Sequence, residues 1–414
     1  MKKGILLRLS VTVLFLAFLV GCGAGIQKDF SGTGNPGNTN GEQVNEPADE
    51  NGAQNGQKAD GGQNVADTEN EQNYSGKDGQ DFEDTTTNSP DAVEGIGSQN
   101  TGKTNEEQEI DYNIVKPDES GKIMIVMFHN FIEEYKGGDR LYTTTFSDFR
   151  KLLEELYEKE YRLISLSDYI NGNINVEAGC KPIVFTFDDG SAGQFNLVIE
   201  NGRLTANKLS AVGIMEEFYK EHPDFGLTGI FYVNLGLNTF PGEGSINERL
   251  SYLIDKGFEI GNHTFSHVKL SQLGDSRKIQ EEIGGNCFKI LEILPGYTMK
   301  HFALPYGERP PKELRQYLYS GEYNGVTYEL ESIVEVGWDP APSPFSSNFD
   351  PMALHRVTAT GLDRVDCDLA WWLERLSREE QYISDGNPDT VTVPSGKETM
   401  INMEKLGERK LIVY

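Results

Sequence analysis

From about residue 120 onward, short apolar runs of strand length alternate with segments whose apolar residues recur at helical spacing. Ile123 to Phe128 is the first run. Phe146, Phe149, Leu152, Leu153 and Leu156 follow on one helical face, with Thr145 and Asp148 placed as a capping box. Further strands are expected at Leu163 to Leu166, Ile183 to Phe187, Gly229 to Val233, Phe258 to Gly261, Phe302 to Leu304 and Ile333 to Val336. Leu209, Val212, Met215, Phe218 and Tyr219, then Ile279, Ile283, Cys287 and Ile290, mark helices between them. Strand and helix by turns implies parallel strands joined by crossovers. A βα barrel and a doubly wound sheet both satisfy that pattern, and periodicity does not choose between them. The length suits a single α/β barrel, and no internal repeat of fixed length is visible.

The run Pro182 to Phe187 ends in Thr186-Phe187-Asp188-Asp189-Gly190. In parallel α/β folds the carboxyl ends of the strands face the active site, and the glycine permits a tight turn there. Neighbouring carboxylates repel, so one is expected to take a cation while the other stays free to accept a proton. By itself, an Asp-Asp-Gly sequence also fits an ordinary solvated turn. The second candidate is His263-Thr264-Phe265-Ser266-His267, just after the run Phe258 to Gly261. On a helical turn this spacing puts both imidazoles on one face, where they can share an ion, although a surface pair has the same spacing. Asp189, His263 and His267 together offer two nitrogens and one oxygen with a position left for water, the pattern of catalytic zinc. Nickel, cobalt or iron would also fit such a divalent-metal site.

These two motifs, followed by His301-Phe302-Ala303-Leu304-Pro305-Tyr306-Gly307, resemble the successive motifs of the polysaccharide deacetylase (NodB-homology) family over roughly residues 120–365. The resemblance implies a distorted (β/α) barrel and hydrolysis of acetyl groups from N-acetylated sugar polymers, occasionally O-acetylated ones. It implies Asp188 as base, Asp189, His263 and His267 as ligands, and the Tyr306 backbone amide beside Pro305 as an oxyanion donor. The family's third motif usually opens with an arginine that pairs with the base; Ala303 stands there instead. Its loss either disables the enzyme or is made good from elsewhere, with Arg356 and Lys300 the candidates. For the general acid, His129 at the end of the first strand competes with His355 in Met352-Ala353-Leu354-His355-Arg356. His129 is favoured because a strand-end histidine points to the catalytic mouth, and because it resembles the opening histidine of the branch that deacetylates poly-N-acetylglucosamine, which also tends to lack the arginine. His301 and His222 read as structural or surface residues. Trp338 is either an aromatic platform for a pyranose ring or a core residue. Asn196 to Leu209 is extra length relative to simple family members and is expected to form a lip over the groove.

Upstream, Lys2 and Lys3 precede an apolar stretch from Ile5 to Val20 that is too short to span a bilayer, and then Leu19-Val20-Gly21-Cys22. The tetrad resembles the lipobox of bacterial lipoproteins, which implies removal of residues 1–21 and lipidation of Cys22, hence a membrane-anchored, extracytoplasmic protein. The alternative is a secreted protein with an incidental cysteine. Residues 22–116 are Gly-, Asn-, Gln- and acid-rich, with almost nothing to bury, and are expected to be a disordered tether with a reach of roughly 50 to 60 Å. About half of the net charge of −28 falls in that tether. With no basic stripe, nucleic acid is excluded as a partner. The expected organisation is a catalytic domain over 117–377 and an extension over 378–414 packed on the barrel, in a monomer. Cys180, Cys287 and Cys367 show no disulfide framework; at most one pair could bridge. Two other functions share the same site: a carbohydrate-binding lipoprotein that has lost turnover with its arginine, and an O-acetyl polysaccharide esterase.

Overall fold

The computed structural model describes residues 110–137, 140–360, 362 and 365–414. The leader 1–21, Cys22 and nearly all of the tether 22–116 lie outside the described residues. Eight strands form the main sheet: β1 (Met124–Phe128), β2 (Tyr161–Leu163), β3 (Lys181–Asp188), β4 (Gly229–Val233), β5 (Phe258–Asn262), β6 (His301–Ala303), β7 (Ser332–Val334) and β8 (Val357–Thr358). They run in the order β7-β6-β5-β4-β3-β1-β8, with β2 also on β3, and every pairing is parallel.

The segment 354–358 reaches both edges of this sheet. Leu354 bridges Val334 in β7, donating its N–H to the Ile333 carbonyl at 3.0 Å and accepting from Glu335 at 2.8 Å. Three residues later Val357 pairs with Val126 in β1. The sheet therefore curls into a distorted (β/α) barrel, and the doubly wound alternative falls.

Side-chain parity divides the barrel into two layers. In β3, Ile183, Phe185 and Phe187 pack outward with the helices. Val184 points inward with Ile125, Ile230, Tyr232, Ala303, Val334 and Leu354. Thr186 and Asp188 share the parity of Val184, so the strand that buries three apolar residues against the helices turns its carboxylate to the interior.

Helices α1 (Phe146–Glu158), α2 (Leu166–Asn171), α3 (Ala211–Glu221), α4 (Ile246–Asp255) and α5 (Ser276–Ile293) include the crossovers. In α1 the buried face is Phe146, Phe149, Leu153 and Leu156. Thr145 accepts the Asp148 N–H at 3.1 Å, but the return bond to the Asp148 carboxylate comes from the Thr145 hydroxyl at 2.7 Å, so the expected box is only half made. Such a cap is worth about 1 kcal/mol. Two expectations shift for the same reason. The strand expected at Leu163 to Leu166 stops at Leu163, because Ser165 accepts the Asp168 N–H at 2.9 Å and starts α2 at Leu166. Leu209 stays outside α3 and exposed, because Ser210 takes the N-cap, accepting from Gly213 at 3.1 Å. The expected lip contains an antiparallel hairpin, Leu197–Glu200 with Arg203–Ala206.

Residues 378–414 lie against the start of the described chain, at the amino-terminal end of β1. Ile383 bridges Asp118 and Gln381 bridges Lys122, and the Tyr112 and Tyr414 rings stack at 5.1 Å. Thr390–Val393 pairs in parallel with Lys410–Val413. Inside this joint Glu119 is buried and accepts the N–H groups of Thr392 at 2.7 Å and Asp385 at 3.3 Å. Burial, reinforced by the Asp385 charge, pushes its carboxyl up to about 8. Cys180, Cys287 and Cys367 are buried and unbridged. No helix among the described residues is long and apolar enough to cross a membrane.

Candidate active site

Arg356 leaves the closing segment between Leu354 and Val357 and enters the barrel, where it is completely buried. Its two terminal nitrogens donate to the two Asp188 oxygens, each at 2.7 Å. Two further donors are occupied: Nη1 reaches Thr186 Oγ1 at 3.0 Å and Nε the Glu335 carbonyl at 3.1 Å. Thr186 passes its own proton to the Val126 carbonyl at 2.8 Å. A buried charge pair needs such hydrogen bonding to offset its desolvation. Burial alone would raise the Asp188 carboxyl, but Arg356, assisted by His263 and His129, outweighs it and holds the group well below the usual carboxylate range. Asp188 is therefore an ionised carboxylate with fixed orientation.

Asp189 follows on a turn with φ 81°, and its side chain faces the two histidines. Its Oδ1 lies 3.5 Å from His263 Nε2 and 3.3 Å from His267 Nε2. The three donor groups fall within 4.8 Å of one another. His263 is buried, which pushes its imidazole toward the neutral form. Its Nδ1 lies 2.8 Å from the Ala303 carbonyl, a partner that can only accept, so Nδ1 carries the proton and the Nε2 lone pair faces Asp189. Burial likewise raises the Asp189 carboxyl. Two imidazole nitrogens and a carboxylate oxygen fit a divalent transition metal.

The histidines do not sit on a helical turn as their spacing suggests. The segment after β5 is irregular, with Thr264 (φ 64°) and His267 (φ 57°) in the left-handed region, where a side chain costs roughly 1–2 kcal/mol. The rings still converge, with centroids 4.9 Å apart, because buried polar groups hold the loop. Asn286 on α5 accepts the Leu235 N–H at 2.8 Å and donates to the Val233 carbonyl at 2.7 Å and to Asn262 Oδ1 at 3.0 Å. Asn262 accepts the Thr264 N–H at 2.9 Å. Glu282, also on α5, accepts from the Ser266 N–H at 2.9 Å and its hydroxyl at 2.6 Å. Sequence reasoning missed these residues; the one available signal was Asn286 falling among the apolar positions of α5.

His129 stands just beyond β1 with Nε2 3.7 Å from Asp188 Oδ2, and its ring meets Tyr142 at 4.8 Å between centroids. His355 instead faces Glu335, at 3.8 Å, and Glu335 is already held by Arg309 Nε at 2.8 Å. Lys300 pairs with Glu331 at 2.7 Å, so of the two candidates for the missing arginine it is Arg356 that meets Asp188. Pro305 is buried. Tyr306 (φ 58°) is half-exposed, its ring 4.8 Å from that of His267 and under the Lys269 ammonium at 4.7 Å. Trp338 is also half-exposed, and its carbonyl accepts the Trp372 indole N–H at 2.6 Å. His301 is a structural residue: buried between Ser167 Oγ (3.0 Å) and Ser332 Oγ (2.9 Å), it has its pKa lowered by burial to about 4. His222 packs on Tyr157 at 4.2 Å.

Residues 175–326 match the polysaccharide deacetylase family model. Similar solved structures include a polysaccharide deacetylase from Bacillus cereus, with 17% identity and a TM-score of 0.45 over 62% of this chain and 69% of that one. A deacetylase from Streptococcus pyogenes in complex with acetate has 16% identity and a TM-score of 0.45 over 62% of this chain and 98% of its own. IcaB from Ammonifex degensii has 19% identity and a TM-score of 0.41, over 58% and 92% respectively. No curated protein matches.

Proposed function

Because residues 175–326 match the polysaccharide deacetylase family model, we propose that this chain is a metal-dependent hydrolase that removes N-acetyl groups from an amino-sugar polymer outside the cell, held at the membrane by Cys22. The observation that carries the reading is the joint placement of two functions: Asp188, locked by Arg356 and 3.7 Å from His129, lies directly beside the Asp189, His263 and His267 cluster.

Asp189, His263 and His267 would hold the cation, with zinc the default and nickel, cobalt or iron compatible. When bound, the cation supplies Lewis acidity to the attacking water and to the acetamide carbonyl. Asp188, ionised and aimed by Arg356, accepts the water's proton. The Tyr306 N–H, which donates to no backbone carbonyl among the described residues, stabilises the oxyanion. His129 protonates the leaving amine so that acetate and the free amino sugar separate. His355, engaged with Glu335, is the weaker candidate for that step. Pro305 shapes the turn under the acetyl group, and Trp338 offers an apolar ring to a neighbouring sugar.

The arginine absent at Ala303 was the one feature that favoured a purely carbohydrate-binding protein, and Arg356 now supplies the same charge to Asp188. Acetate release from N-acetylglucosamine oligomers, with and without chelator, tests the proposal. Metal-dependent release supports it. Binding without release in any metal would establish the lectin-like reading, and a strong preference for acetylated xylan would establish the O-acetyl esterase.

A further inference from the structure

Gln194 is fully buried where the ends of β1 and β3 come together. Its Nε2 donates to the His129 carbonyl at 2.5 Å and also to the Asp188 carbonyl. Both partners can only accept, so the NH2 end of the amide must face them and a flipped side chain would satisfy neither. The loop that carries Gln194 is itself fixed. Gln194 N–H donates to the Ser191 carbonyl at 3.1 Å, while Ala211 and Val212 at the start of α3 donate to the Gly193 and Gln194 carbonyls at 2.9 and 3.1 Å. Gly193 presses on the chain just after β1 so closely that a Cβ there would fall 2.0 Å from the Phe131 carbonyl oxygen.

We propose that Gln194 is a positioning residue that sets the spacing between the proton donor and the proton acceptor of the reaction, by gripping the backbone of both with one nitrogen. The inference rests on His129 and Asp188 having the roles given above, and deepens that reading. Arg356 fixes the orientation of the Asp188 side chain, while the Gln194 amide joins the backbone of Asp188 to that of His129, so their 3.7 Å separation follows the two strand ends moving together. A neutral primary amide suits the task. A carboxylate would set negative oxygens against two carbonyls, and a methionine would remove the donor that the two carbonyls share.

The consequence is selective. A displaced His129 delays protonation of the leaving group, which matters for an amine and hardly for a nitrophenolate. The test compares full-length, metal-loaded wild type with Gln194→Met on an N-acetylglucosamine oligomer and on 4-nitrophenyl acetate. The expected result is a kcat on the oligomer lower by about 10- to 100-fold, with KM within about threefold and ester hydrolysis nearly retained. Should Gln194→Met fail to fold, Gln194→Asn keeps a donor but is too short to span both carbonyls, and should show the same split. An equal fall on both substrates, or no change on either, overturns the proposal. Absence of metal-dependent acetate release from the unmutated chain is a separate result that overturns the functional reading on which it rests.

Discussion

Arg356 and Asp188 meet as a closed fork, two nitrogens on two oxygens at 2.7 Å each, although 168 residues separate them in the chain. The arginine belongs to the segment that completes the barrel, and the aspartate to the strand that ends in the reaction site. Closure of the sheet and orientation of the Asp188 carboxylate are thus one structural event.

Replacing Arg356 by methionine leaves a buried carboxylate without its counter-charge. Stability should fall by about 3–5 kcal/mol in urea denaturation, and acetate release by at least about 100-fold. Arg356→Lys keeps a charge but not the fork and should lie between. The pH dependence follows from the sign of the shift. Burial opposes ionisation, but Arg356 wins and depresses the folded-state value, so the pair stabilises the protein above the ordinary aspartate range and the benefit is lost as pH falls. Arg356→Met should weaken that acid-side loss.

Chelation should reduce acetate release to background, and zinc should restore it. Asp189→Ala, His263→Ala and His267→Ala should each lose tight metal uptake, read by calorimetry or elemental analysis. Loaded wild-type protein should also melt higher than stripped protein, by about 2.7 kcal/mol of added stability when free metal is 100 times its Kd. Unchanged uptake in all three variants would remove this site.

Asn286→Leu strands the Leu235 N–H, leaves the Val233 carbonyl with the His263 N–H alone and frees Asn262 from one partner. The expected cost is about 1–3 kcal/mol, and metal affinity should drop about 10- to 100-fold because the loop bearing His263 and His267 loses its support. A variant that is destabilised but binds metal as tightly as wild type would show that α5 supports the core only.

Glu119 has its folded-state carboxyl raised to about 8 by burial and by Asp385. A raised folded value means the native state holds the proton more tightly. Its contribution is therefore complete below the ordinary glutamate range and declines as pH climbs through about 8. Melting temperature should fall as pH rises from about 4.5 to about 8 and level off above that, with protease cleavage appearing within 378–414, and Glu119→Gln should flatten that slope.

Much of this arrangement was legible because parity and strand ends are local properties. TFDDG could be placed at a strand's carboxyl end from the run Pro182 to Phe187 alone, and His129 from Ile123 to Phe128. Convergence of Asp189 with the histidines came from chemistry and family resemblance, and the geometry agrees with it. The helical turn for His263 and His267 was wrong because hydrogen bonds donated by the Thr264 and Ser266 N–H groups to Asn262 and Glu282, invisible to a local pattern, outweigh the intrinsic cost of left-handed backbone. Arg356 could be nominated but not chosen over Lys300, since only barrel closure decides which cation reaches the interior. Gln194 gave no signal, because its partners are backbone carbonyls that a sequence does not display.

The joint between residues 112–123 and 378–414 lies at the amino-terminal pole of β1, whereas the reactive groups crown the other pole. Tension arriving through the polypeptide ahead of residue 110 would be borne by that terminal strap, pulling two chain ends in shear along their shared hydrogen bonds. The loops bearing Asp188 and His263 take no part in that joint, so the strap could yield without any of their own hydrogen bonds being broken.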